Sequence, residues 1–74
     1  MTSESLIRMA NQIGAFFESM PGRDEAIQDM ATHLKKFWAP PMRRALLAHI
    51  DAHGSQELSP LVAEAIARHR AMLG

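Results

Sequence analysis

The chain has 74 residues, with eight basic residues against eight acidic ones and no cysteine. A chain of this size buries only about 60% of the surface that its unfolded form exposes, and natural proteins this small usually add disulfides, a metal or a partner subunit. The absence of cysteine excludes disulfides, thiolate zinc sites, iron–sulfur ligation and cysteine nucleophiles. Stabilisation by oligomerisation or by docking onto a partner is therefore the first expectation.

The charge balance and the hydropathy narrow the class of protein further. Because basic and acidic residues cancel, no long-range field favours nucleic acid or an anionic membrane surface. The apolar fraction of 47% is that of an ordinary globular chain, so disorder is not expected. The N-terminus carries no basic region followed by a long apolar run, and no stretch approaches the roughly 18 apolar residues needed to span a bilayer. We expect a soluble, cytoplasmic protein that binds neither nucleic acid nor membrane.

Hydrophobic periodicity predicts a first helix over residues 4–19, with Ser3 as its N-cap. Its apolar face comprises Leu6, Met9, Ala10, Ile13, Phe16, Phe17 and Met20. Gly14, in the middle of this helix, costs about 1 kcal/mol relative to alanine and is expected to mark a close helix–helix approach. A second helix over residues 24–38 follows, with Asp24 as its cap. Its stripe comprises Ile27, Met30, Ala31, Leu34, Phe37 and Trp38.

Two prolines separate the second helix from a third. Pro40 disfavours helical geometry at the preceding residue, whereas Pro41 suits the first turn of a helix over residues 41–53. The apolar face of this third helix comprises Met42, Ala45, Leu46, His49, Ile50 and His53. Gly54 fits the left-handed position just past a helix end. A fourth helix is predicted over residues 60–73, with an apolar face of Val62, Ala65, Ile66, His69 and Leu73.

No window alternates apolar and polar residues over strand length, so the predicted fold is all-α. We expect a small bundle of three to four short helices, forming a single domain over residues 1–74, with neighbouring helices roughly antiparallel. The first two helices carry every aromatic residue and are expected to form the main hairpin. The alanine-rich fourth helix is expected to dock more loosely or to reach elsewhere.

No catalytic or metal-binding constellation stands out. His49 and His53 lie four residues apart, a spacing that can place two imidazoles on one metal. A zinc protease helix needs glutamate directly after the first histidine, but Ile50 is there. No Gly-x-Ser-x-Gly nucleophile elbow occurs either. We therefore expect a protein that is not an enzyme and holds no metal or cofactor.

Two regions are candidates for binding a partner. Asn11 and Gln12 lie inside the first helix and suit a polar contact across an interface, with solvent exposure as the equally weighted alternative. The second region, here called the hinge, is residues 35–44, where four basic residues and no acidic one flank an aromatic–proline run. Its predicted partner-binding residues are Phe37, Trp38, Pro40, Pro41, Met42, Arg43 and Arg44.

The hinge has the residue types that dominate binding energy, and a diproline corner lowers the ordering cost of holding them. The alternative is that Phe37 and Trp38 fill the core while the cations stay solvated. A mixed outcome is expected, with at least one aromatic ring inside and the basic rim available to a partner. Nucleic-acid binding would use the same cations, but the neutral net charge weakens that interpretation.

Three segments of the sequence form a recognisable pattern: Arg8-Met9-Ala10-Asn11-Gln12-Ile13-Gly14 with Phe16-Phe17, then His33 to Arg43, then Leu58-Ser59-Pro60-Leu61-Val62. Together they resemble the delta subunit of bacterial NAD-dependent, molybdenum-containing formate dehydrogenases. The most specific element is the run from Phe37 to Arg43, with Trp38, Pro40 and Met42 within it. The resemblance covers nearly the whole chain.

This resemblance implies an accessory subunit of a cytosolic complex. In such a complex the alpha subunit carries the molybdenum cofactor and oxidises formate to carbon dioxide, while beta and gamma subunits pass electrons through iron–sulfur clusters and FMN to NAD. The chain is implied to bind the alpha subunit and to support assembly, cofactor insertion or stability. Two alternatives stay open. One is a transient molybdenum-cofactor chaperone, whose ligand's phosphates would suit Lys35, Lys36, Arg43 and Arg44. The other is a small helical nucleic-acid-binding regulator.

Overall fold

The computed structural model describes residues 2–74, which form five helices. These are α1 (Ser3–Glu18), α2 (Arg23–Phe37), α3 (Pro40–His53), α4 (Pro60–Arg68) and α5 (Arg70–Leu73). No strand occurs among these residues, so the predicted small all-α bundle is confirmed. Helix α2 packs against α1, α4 and α5, and α1 also contacts α3 and α4. The expected α1–α2 hairpin is therefore one part of a wider bundle centred on α2.

The first two helices begin earlier than the sequence predicted. Thr2, and not Ser3, is the N-cap of α1, and its hydroxyl accepts a hydrogen bond from the Ser5 amide at 3.1 Å. Gly22 occupies the N-cap of α2, because its carbonyl already closes the first turn. Asp24 is thereby moved inside the first turn, where a carboxylate complements the helix dipole without capping.

The proline and glycine signals around α3 behave largely as expected. Pro40 and Pro41 are the first two residues of α3, one position earlier than predicted, and the preceding Ala39 is extended. Gly54 follows the end of α3 with φ of 87°, a conformation that side chains disfavour. Ser59 and Pro60 then start α4 as N-cap and first helical residue.

The fourth helix differs from its prediction in two ways. It is not loosely docked, and the predicted single helix over residues 60–73 is divided into two. The chain leaves helical geometry at His69, which separates α4 from α5 and directs Leu73 into the core. Within α4, four side chains are at most 2% exposed: Leu61, Val62, Ala65 and Ile66. The physical reason lies in α1, where Gly14 leaves room for Val62. A Cβ atom at position 14 would lie 2.3 Å from Val62 Cγ2, so the predicted close approach is confirmed.

Two buried faces are rotated from the predicted ones. On α1, Ile7 and Gly14 are buried while Phe16 is 70% exposed. On α3, the inward face contains Arg43 and Leu47 together with Leu46, whereas Ala45 lies outside. Both shifts follow from where the neighbouring helices lie, because a helix turns by about 100° per residue and flanking positions differ little in pattern.

Candidate docking surface

The chain leaves α2 between two aromatic residues that point in opposite directions. Trp38 has extended backbone geometry (φ −88°, ψ 132°) and its amide still donates to Leu34 O at 3.0 Å. Its indole is 5% exposed and belongs to the core, whereas the Phe37 ring is 71% exposed. The mixed outcome expected for the hinge is confirmed in this respect, since one ring is inside and the other outside.

The diproline corner forms the start of α3, which Ala39 separates from the buried indole. Pro40 and Pro41 are both exposed. Met42 is half-buried and packs against the core from the first turn of α3. Proline fixes its own φ, so the backbone of the exposed part of the hinge is restricted at both prolines. The buried Trp38 side chain anchors it to the core.

Arg43 is not solvated as the alternative interpretation required. The residue is only 8% exposed, and its Nη1 donates a hydrogen bond to Lys35 O at 2.8 Å. This bond satisfies a carbonyl in the last turn of α2, a position without an intrahelical partner. Arg43 Nε is buried without a hydrogen-bond partner. Arg43 therefore fastens α3 to the end of α2, and the exposed cations of the hinge are Lys35, Lys36 and Arg44.

The exposed hinge cations differ from the other basic residues in their electrostatic environment. Every basic residue outside the hinge has a carboxylate partner within 4 Å, namely Arg8 with Glu4, Arg23 with Glu64, Arg68 with Asp24 and Glu64, and Arg70 with Asp51. The hydrogen bond from Asp24 and the charge of Glu64 raise the pKa of Arg68. Within residues 2–74, Lys35, Lys36 and Arg44 form no ion pair. The uncompensated positive charge of the molecule is thus concentrated at the hinge.

Asn11 and Gln12, the other predicted partner-binding residues, lie away from the hinge and differ from each other. The Asn11 side chain donates from Nδ2 to Glu57 O at 3.0 Å and accepts at Oδ1 from the Ser59 amide at 2.9 Å. Ser59 is the N-cap of α4 and makes no side-chain cap of its own, so Asn11 completes the start of that helix. Gln12 is exposed on α1.

An aromatic row that the sequence analysis missed crosses from α1 to α2. The rings of Phe16 and Phe17 are 5.2 Å apart, Phe17 is 5.9 Å from the His33 ring, and His33 is 4.8 Å from Phe37. The two ends, Phe16 and Phe37, are the large exposed hydrophobic side chains of the described chain. One signal was available in the sequence, since Phe16 and Phe17 are adjacent on a helix and point about 100° apart, which favours one ring at the edge of the buried face.

A shallow groove of about 370 Å³ adjoins the row at the α1–α2 turn. Its lining includes Phe17, Met20, Pro21 and Pro60, so Phe17 belongs to both the groove and the row. The aromatic row and the hinge share Phe37 in the same way. Groove, row and hinge are therefore linked through Phe17 and Phe37.

The histidines singled out on α3 form a small polar cluster. His49 Nε2 lies 2.9 Å from Glu57 Oε1, and the rings of His49 and His53 are 4.9 Å apart. Among residues 2–74, no group of three or more histidine, aspartate or glutamate side chains has the arrangement of a metal site. In the same part of the chain, none of the helices combines the length and the apolar character needed to cross a membrane.

The fold and this surface define a small all-helical protein whose distinctive feature is an exposed aromatic and cationic side. The chain belongs to the NADH-dependent formate dehydrogenase delta subunit family (FdsD), whose family model matches residues 5–66. The resemblance predicted from the sequence is thereby confirmed, and the matched range includes both the hinge and the aromatic row. Comparison with curated proteins and with solved structures gives no significant match.

Proposed function

We propose that this chain is a non-catalytic accessory subunit of a cytosolic NAD-dependent formate dehydrogenase. It binds the molybdenum-carrying alpha subunit and supports assembly, cofactor insertion or stability of the complex. Formate oxidation and electron transfer to NAD are carried out by the alpha, beta and gamma subunits. Membership of the delta subunit family supports this proposal, because the family description names a subunit of such an enzyme.

The observation that carries the proposal is the exposure of Phe37 beside uncompensated cations. Its ring is 71% exposed, and Lys36 and Arg44 have no ion-pair partner among the described residues. Aromatic residues, phenylalanine included, and arginine are enriched at the core of protein–protein interfaces. Such a surface is suited to a partner that covers the Phe37 ring with apolar groups and neutralises the Lys36 and Arg44 charges with acidic ones.

The hinge is also suited to binding by its rigidity. Trp38 anchors it from the core, and Arg43 fastens α3 to the end of α2 through the Lys35 carbonyl. Ordering a flexible segment costs free energy on association, and a segment that is already held avoids this cost. Docking at the hinge therefore requires little rearrangement of the chain.

The cofactors of such an enzyme are assigned to other subunits. Iron–sulfur clusters are held by cysteine thiolates, and this chain has no cysteine. No group of side chains among residues 2–74 has the arrangement of a metal site. The chain therefore lacks the thiolates that hold iron–sulfur clusters.

Co-purification tests the proposal. The chain is co-expressed with the alpha, beta and gamma subunits, the alpha subunit is tagged, and the subunit ratio is measured by native mass spectrometry after gel filtration. We expect this chain to be retained at a fixed ratio to the alpha subunit. Elution of the chain by itself under low-salt conditions would contradict the proposal.

A second candidate, a transient chaperone of the molybdenum cofactor, is favoured by the same cations. Lys35, Lys36 and Arg44 are exposed and unpaired, as expected of residues that bind phosphate. The two candidates differ in when the chain is bound. A chaperone is released from the mature, cofactor-loaded enzyme, whereas an accessory subunit stays in it.

A further inference from the structure

We propose that the aromatic row of Phe16, Phe17, His33 and Phe37 binds an amphipathic helix of the partner subunit. The inferred helix has an apolar stripe bordered by one basic and one acidic residue about two turns apart. This inference rests on the proposed function, since it specifies the chemistry of the element that the partner offers. It extends the contact from the hinge along the α1–α2 side of the molecule.

The first support is the shape and exposure of the row. Neighbouring rings lie 4.8 to 5.9 Å apart, so the row is continuous. Its ends are strongly exposed, with Phe16 at 70% and Phe37 at 71%. Contiguous exposed apolar surface is uncommon on soluble monomers and typically marks an interaction site. The row therefore calls for an apolar occupant.

The second support is the apolar strip that widens the row on α1. Met9 and Ile13 recur with Phe16 at spacings of three, four or seven residues, so they share one side of α1, and Met20 follows just after the end of the helix. All three are half-buried and pack against the core. Methionine side chains adapt to irregular partner surfaces. Amphipathic helices bind by laying their apolar face into a hydrophobic groove, and this strip reaches the groove at the α1–α2 turn through Met20.

The third support is the order of charges beside the row. Asp29, His33 and Lys36 are spaced at i, i+4 and i+7, so they form one line along α2. Asp29 and Lys36 have no ion-pair partner within residues 2–74. Seven residues correspond to about 10 Å along a helix. A bound helix is therefore best matched when a basic residue faces Asp29 and an acidic one faces Lys36.

On α1 the border of the row carries the uncharged Gln12 and, next to Phe17, the exposed Glu18. Gln12 lies one turn before Phe16, is exposed, and is uncharged. The predicted partner-binding role of Gln12 fits here, as a polar contact at the edge of the apolar strip. A second copy of this chain, laid antiparallel, would also bring Asp29 to face Lys36, and crosslinking therefore tests for it; the family description, which names a subunit of a larger enzyme, favours a different subunit as the occupant.

Photo-crosslinking in the assembled complex tests the inference. The photoreactive residue p-benzoylphenylalanine replaces Phe16 in one variant, Arg44 in a second, and the exposed Ala67 of α4 in a control. The chain is co-expressed with the other subunits, irradiated, and the crosslinked peptides are identified by mass spectrometry. We expect position 16 to crosslink to a helix with a basic and an acidic residue about seven positions apart, and position 67 to give no crosslink.

Charge reversal provides the matched second measurement. Lys36→Glu is expected to weaken association with the partner at least tenfold, whereas Arg8→Glu, the same charge change on an exposed residue of α1, leaves it within about twofold. Neither substitution is expected to change the thermal unfolding midpoint appreciably, because both side chains are exposed.

The outcomes separate this inference from the proposed function. Crosslinking from position 44 without crosslinking from position 16 would leave hinge docking in place and overturn the row. Crosslinks from position 16 to another copy of this chain, or to a segment without the predicted charges, would also overturn it. Absence of any association with the enzyme subunits would overturn both.

Discussion

Phe37 and Trp38 are neighbours in the chain, yet the Phe37 ring is 71% exposed and the Trp38 indole only 5%. The cause is the end of α2, because Trp38 has left helical geometry and its extended backbone turns the side chain inward. The hinge thereby combines an anchor in the core with an exposed aromatic ring. The two roles can be separated by substitution.

Trp38→Ala is expected to destabilise the chain by about 3–5 kcal/mol, since truncation of buried aromatic residues removes their transfer free energy and leaves a cavity. Native proteins have a free energy of unfolding of only about 5–15 kcal/mol, so this substitution removes a large part of the stability. Phe37→Ala is expected to stay within about 0.5 kcal/mol, as exposed positions usually do. Urea unfolding measures both, and equal losses would contradict the assignment of the two rings.

Gly14→Ala is expected to destabilise by about 1–3 kcal/mol, because the new Cβ would lie 2.3 Å from Val62 Cγ2. This outcome opposes helix propensity, which favours alanine over glycine by about 1 kcal/mol. The double variant Gly14→Ala, Val62→Ala is expected to lose less free energy of unfolding than the sum of the two single variants, because removing the Val62 side chain relieves the clash. A stabilised Gly14→Ala variant would show that α1 and α4 are not in close contact.

Asn11→Ala is expected to cost about 1–3 kcal/mol, since it leaves the Ser59 amide and the Glu57 carbonyl without their partner. Asn11→Asp keeps the acceptor but loses the donor, so a smaller loss is expected. Gln12→Ala, at the adjacent exposed position, is the control and should change stability little. Chemical denaturation distinguishes the three, and equal stability of the Asn11→Ala and Gln12→Ala variants would refute the internal role of Asn11.

Arg43→Ala is expected to cost about 1–3 kcal/mol, because the Lys35 carbonyl loses its hydrogen bond and a cavity forms beside α2. Arg44→Ala removes the same residue type from the next, exposed position and should leave stability nearly unchanged. Thermal unfolding of the two variants provides the comparison. A larger loss of stability for Arg44→Ala than for Arg43→Ala would mean that Arg44, and not Arg43, is the buried residue.

Much of the architecture could be predicted because local chemistry determines it. The diproline corner, Gly54 and Ser59-Pro60 fix where helices end and begin. The rotation of buried faces was not predictable to one residue, as Phe16 and Arg43 illustrate. A helical stripe spans several adjacent positions, and only the location of the neighbouring helices decides which of them are covered.

The candidate docking surface was predictable only in part. The hinge is contiguous in sequence, so its composition revealed it. The contacts of Asn11 connect residues 46 and 48 positions apart, and the row joins Phe17 on α1 to His33 on α2. Such juxtapositions arise from tertiary packing, and a single sequence does not encode them in any short pattern.

The central claim is that this chain docks on a formate dehydrogenase subunit through the hinge. The most direct test is to measure by calorimetry the dissociation constant of the complex between this chain and the alpha subunit. The wild-type chain is expected to bind, Phe37→Ala and Arg44→Ala are each expected to weaken binding about tenfold or more, and Arg8→Ala should have no effect. Failure of the wild-type chain to bind, or equal affinity of all four proteins, would contradict the account.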